Sequence, residues 1–105
     1  MSAFDERERG FERKFANEQE LEFRAHSRRN HLLGEWAAKK MGLENVDDYV
    51  RAVVRSDIEQ PGDDDVLRKI TQDLAGAGIT VRDSEIRARM DEFLAMAREH
   101  VKTAK

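Results

Sequence analysis

The chain has 105 residues, 39% of them charged, and 19 Lys+Arg stand against 22 Asp+Glu for a formal net charge of −3. That length fits one domain with one modest core, and the mean hydropathy of −0.80 implies that part of the chain lies outside it. Balanced charge argues against a nucleic-acid-binding domain, the absence of Cys excludes disulfides and thiol chemistry, and no apolar run approaches the roughly 18 residues of a membrane span.

The first 16 positions differ from the rest. From Asp5 to Lys14 every residue is charged except Gly10 and Phe11. Asp5 and Arg9 form an i,i+4 pair and Arg9 and Glu12 an i,i+3 pair, each worth about 0.2–0.5 kcal/mol to a helix. Gly10 costs about 0.5–1 kcal/mol relative to Ala, so a helix here is marginal alone. At 100° per residue Phe4, Phe11 and Phe15 fall within about 40° of one another. Burying a Phe ring is worth roughly 1.5–3 kcal/mol, so such a seam suits the groove of a partner, in the manner of helix-in-groove recognition. Packing of the rings on the protein's own bundle is the competing expectation. The Met1–Arg7 opening has no apolar core and does not read as a secretory signal.

Apolar residues after this arm recur at helical spacing, which predicts four helices. The first core helix runs from about Asn17 to Met41, with Leu21, Ala25, Leu32, Leu33 and Trp36 on its stripe and Gly42 ending it. Arg24, Arg28, Arg29 and Asn30 lie along it and are expected on a solvated face. The second helix follows Asn45, carries Val46, Tyr49, Val50, Val53, Val54 and Ile58, and stops before Pro61. In the third, Asp63 is the expected cap, Asp64 and Asp65 favour the positive end of the helix dipole, and Val66, Leu67, Ile70 and Leu74 form the apolar side. Asp83 is the expected N-cap of the fourth, with Thr80 as an earlier start, and the helix buries Ile86, Met90, Phe93, Leu94, Ala97 and Val101. Asp57, Glu59, Asp63, Asp64 and Asp65 make an acidic turn read as capping and solvation, without the alternate spacing of a calcium loop.

Catalytic and cofactor patterns are lacking. His26 and His31 stand five apart and cannot share a helix face as metal ligands do. Gly76-Ala77-Gly78 is a helix terminator rather than a phosphate loop, and Ser2, Ser27, Ser56 and Ser84 have no evident base. No enzyme activity, metal or cofactor is expected.

The opening Phe4-Asp5-Glu6-Arg7-Glu8-Arg9-Gly10-Phe11-Glu12-Arg13-Lys14-Phe15-Ala16 strongly resembles the N-terminus of the alphaproteobacterial F-type ATP synthase inhibitor family, the zeta subunits. The likeness continues through Glu18-Gln19-Glu20-Leu21, Arg28-Arg29-Asn30, Leu32-Leu33-Gly34, Trp36-Ala37-Ala38, Tyr49-Val50, Val53-Val54 and Asp57. It implies an all-α fold, a four-helix bundle over residues 17–105 preceded by an inhibitory arm over residues 1–16 that is flexible and disordered or marginally helical when free. It also implies that the arm enters the catalytic head of the synthase, at an interface between a catalytic and a non-catalytic subunit, with the central stalk as a further expected contact. There it becomes helical and blocks rotation in the hydrolysis direction, the part played by the mitochondrial inhibitor protein on a different fold. The inhibitory stretch maps onto Phe4, Asp5, Arg7, Glu8, Arg9, Phe11, Glu12, Lys14, Phe15 and Ala16. A cytoplasmic monomer, peripheral to the inner membrane through the synthase, is the expected free form. An adaptor or dimerisation protein using the same Phe seam is the alternative.

Overall fold

The computed structural model describes the backbone of residues 3–103 and the side chains of residues 18–103. Four helices follow one another: α1 (Ala3–Met41), α2 (Val46–Glu59), α3 (Asp63–Gly76) and α4 (Asp83–Thr103), with no strand among the described residues. The class and the number of helices agree with the sequence expectation. α1 is the axis of the bundle, and α2 and α4 pack against it most extensively. At 1.5 Å per residue its 39 residues span about 58 Å, which accounts for a long axis of 64 Å against 24 and 22 Å across.

The buried face of α1 is Ala25, Arg29, Asn30, Leu33, Ala37 and Ala38. Its spacing of four residues is that of a helix stripe, but small side chains make up much of it. Leu21, expected on this stripe, is 37% exposed. Farther along the helix α2 crosses α1 closely, where a Cβ on Gly34 would stand 3.1 Å from the Val50 Cα. Leu33, Ala37, Val53, Val66, Leu67, Ile70, Leu74, Ile86 and Met90 form the common core, with Trp36, Tyr49 and Phe93 packed against it.

The ends of the helices follow local chemistry. Asn45 caps α2, its side-chain oxygen accepting from the Asp48 N–H at 3.1 Å while its amide donates to the Asp48 carboxylate at 2.7 Å. After α1, Leu43 N–H donates to the Ala38 carbonyl at 3.0 Å, and after α3, Ile79 N–H donates to Leu74 at 2.9 Å. Both are glycine-terminated turns in which Gly42 (φ 67°) and Gly78 (φ 78°) take the left-handed conformation that a side chain disfavours. Gly62 occupies the N-cap of α3, so Asp63 is its first residue rather than its cap, and Asp83 likewise opens α4.

Candidate partner-binding site

Phe4, Asp5, Arg7, Glu8, Arg9, Phe11, Glu12, Lys14, Phe15 and Ala16, the residues singled out from the sequence, have side chains outside the described residues. Their place in the chain is nonetheless fixed. They belong to the first half of α1, and the bundle begins on the same helix within the next two turns.

Two polar attachments secure that helix to the bundle. The Arg98 guanidinium on α4 donates to the Glu22 carboxylate through Nη2 at 2.7 Å and Nε at 3.1 Å. This fork-on-carboxylate contact holds Glu22 below its ordinary carboxylate range, through the Arg98 hydrogen bond first, with burial opposing and the charges of Arg98 and His26 assisting. The same contact raises Arg98. Both partners are largely exposed, so its role is positional rather than a large contribution to stability.

The second attachment is buried and corrects two sequence expectations. Arg29 and Asn30 are each 1% exposed rather than solvated. Arg29 Nη1 donates to Asp63 at 2.9 Å and its Nε to the Asn30 side-chain oxygen at 2.9 Å. The Asn30 amide donates to Asp57 at 2.7 Å, and Asp57 also accepts the Gly62 N–H at 3.3 Å. The acidic turn between α2 and α3 is therefore a socket for α1 as well as a capping element. Burial of a charge requires such partners, and the sequence held the signal in Arg29-Asn30 four positions on from Ala25 and four before Leu33. Arg29 Nη2 is buried without a hydrogen-bond partner among the described residues.

Beside this socket the surface is apolar. Phe23 is 63% and Ile58 60% exposed, although Ile58 was expected on the inner side of α2. Helix α2 turns Val50 and Val53 inward and leaves Val54 and Ile58 on the wall of a groove against α1. A hollow of about 380 Å³ lies between Phe23, His26, Ser27, Val54, Ile58 and Pro61. A second, of about 470 Å³, continues past Val54 and Ile58 to Val50, His31, Arg51 and Arg55. His31 Nε2 stands 2.6 Å from the Glu35 carboxylate within α1.

Among the described residues no group of three or more His, Asp or Glu is placed to hold a metal ion, and no helix is long and apolar enough to cross a membrane. No curated protein matches the chain. A family model described as ATPase inhibitor subunit zeta matches residues 1–100, a span that takes in both the arm and the bundle.

Proposed function

This chain belongs to the ATPase inhibitor subunit zeta family, whose role is to inhibit ATP hydrolysis by the F-type ATP synthase, and we propose that it does so by inserting residues 1–16 into a catalytic interface of the soluble head. The observation that carries the proposal is the extent of the match, which begins at residue 1 and so includes the charged, Phe-bearing arm. Among the described residues the buried hydrophobic side chains run from Ala25 to Ala97, and we assign Phe4, Phe11 and Phe15 of the arm to a partner's groove.

In this mechanism Phe11 and Phe15 anchor the arm in an apolar cleft between a catalytic and a non-catalytic subunit. Arg7, Arg9 and Lys14 pair with carboxylates at the rim, and Asp5, Glu8 and Glu12 stabilise the helix internally or meet basic residues there. The i,i+4 spacing of Phe11 and Phe15 suits one helical face. A helix lodged in an interface that must open and close during turnover blocks rotation in the hydrolysis direction, and the bundle, too wide to follow, stays at the mouth. The chain acts without chemistry of its own and sits in the cytoplasm, at the inner membrane only through the synthase. ATP hydrolysis by the cognate catalytic head tests this directly: inhibition by the full chain and none by a form lacking residues 1–16 supports it. Inhibition that survives loss of the arm contradicts it.

A further inference from the structure

Among the described residues, the polar contact nearest the arm that joins α1 to another helix is the pair of Glu22 and Arg98. Of residues 18–24 on α1, all are exposed except Glu22, and the first core side chain is Ala25. Glu22 thus precedes the core by just under one helical turn. The neighbouring pairs on α1 outside the buried socket lie within that helix, Glu20 with Arg24 and His31 with Glu35, and attach it to nothing. The Glu22 contact is well formed for a surface pair. Arg98 Nη2 donates to Oε1 at 2.7 Å, and Nε donates to Oε1 at 3.1 Å and to Oε2 at 3.2 Å.

We propose that Glu22 and Arg98 are a positioning pair for inhibition, a pin that fixes where α1 leaves the bundle and so the direction in which residues 1–16 are presented to the protein that receives them. Arg98 acts through Glu22 and α1 rather than by contact with that protein. The proposal rests on the inhibitor role above and extends it from the arm to the residue of α4 that aims it.

Lever geometry gives an exposed pair this role. α1 is one helix from Ala3 to Met41, and Phe11 stands about 16 Å along its axis from Glu22. Any swing of α1 about Ala25 is therefore magnified at the arm, and the contact that best resists it is the one farthest from the core on the arm's side. That contact is Glu22 with Arg98. Both side chains are about half exposed, so the pair contributes little to folding. Orienting a segment that must dock is a different contribution, because it removes part of the ordering cost of association. The pair of Arg87 and Asp64 is a matched contrast. It is equally exposed and also crosses between helices, but it joins α4 to α3 and leaves α1 untouched.

The test measures half-inhibition of ATP hydrolysis by the purified catalytic head, using the full chain with Glu22→Arg, with Arg98→Glu and with both. Arg87→Glu is the control and Phe11→Ala the arm variant. Each single reversal is expected to raise the half-inhibition concentration about fivefold, the size of one ordered side chain. The double reversal, in which the pair re-forms with its signs exchanged, is expected to return to the parent's value. Arg87→Glu inhibits like the parent, and all melting midpoints stay close to the parent's. Single reversals that inhibit like the parent while Phe11→Ala inhibits less well overturn the pin and leave the arm's role standing. Weakening that the double reversal does not restore assigns Arg98 or Glu22 to direct contact with the head and overturns the pin. Weakening shared by Arg87→Glu, or matched by a fall in melting midpoint, overturns it as well. A parent that does not inhibit the head overturns both the pin and the inhibitor role.

Discussion

Arg29 of α1 and Asp63 of α3 meet at 2.9 Å across 34 positions of sequence, the guanidinium 1% exposed and the carboxylate 53% exposed at its side chain. The contact joins the helix that carries the arm to the turn that ends α2, so the orientation of α1 against the bundle depends on it.

Asp63→Ala removes the acceptor and leaves Arg29 Nη1 buried without a partner, alongside an Nη2 that already has none among the described residues. The expected loss is about 1–3 kcal/mol, or roughly 4–20 °C in melting midpoint for a domain of this size. Arg29→Met removes the buried charge altogether and is expected to cost less than Asp63→Ala, because replacing a buried ion pair by an apolar side chain is often near neutral. Thermal melts of the two variants check the order. Equal or reversed losses contradict the assignment of Arg29 as a buried charge held by Asp63.

Gly34 and Gly76 make a paired test of helix packing. Both sit within helices, where Ala is preferred by about 1 kcal/mol. A Cβ at Gly34 meets the Val50 backbone Cα at 3.1 Å, whereas one at Gly76 meets nothing within 4 Å. Gly34→Ala is expected to destabilise by about 1–2 kcal/mol as the crowding outweighs propensity, and Gly76→Ala to be neutral or stabilising by up to about 1 kcal/mol. Urea unfolding of each variant reads both effects. Stabilisation by Gly34→Ala shows that α1 and α2 do not approach so closely.

Tyr49 provides an optical probe of the α2–α3 contact because it is the only Tyr. Burial raises its phenol well above the usual range, and the hydrogen bond to Asp73 at 2.8 Å raises it further. The folded state thus holds the proton more tightly than the unfolded state. Its contribution to stability is full below the ordinary phenol value near pH 10 and is lost as pH rises beyond it. Tyrosinate absorbance is expected to stay absent through that point and to appear together with loss of helical circular dichroism. Ionisation near pH 10 with the helices intact contradicts the buried Tyr49–Asp73 pair.

Much of the architecture was legible from periodicity. Ile86, Met90 and Ala97 recur with the helical period and all are buried, and Gly42, Gly78 and Asn45 terminate or cap helices as their chemistry suggests. The inner face of α1 was harder to read. Leu21 and Phe23 are larger and more apolar than Ala25, Ala37 and Ala38, yet the small residues are buried and the large ones exposed. Arg29 and Asn30 look solvated to any scale of residue hydropathy, and their spacing between Ala25 and Leu33 was the one local signal of burial. Ile58 continues the apolar stripe of α2 but stays 60% exposed on the wall of a groove beside Phe23 of α1. The groove therefore arises from tertiary packing and has no local sequence signature.

Within the arm, Phe11→Ala removes an anchor worth roughly 1.5–3 kcal/mol. The concentration giving half-inhibition is then expected to rise about 10–150-fold, with the melting midpoint of the bundle unchanged. Inhibition curves that superimpose on the parent's contradict an anchoring role for Phe11.

The most direct measurement is ATP hydrolysis by the purified catalytic head of the cognate synthase, with the full chain and with a form lacking residues 1–16. The expected result is inhibition by the full chain and full activity with the shortened one, which keeps every core residue among those described, Ala25 to Ala97. Undiminished hydrolysis in the presence of the full chain, or equal inhibition by both forms, contradicts inhibition through the arm.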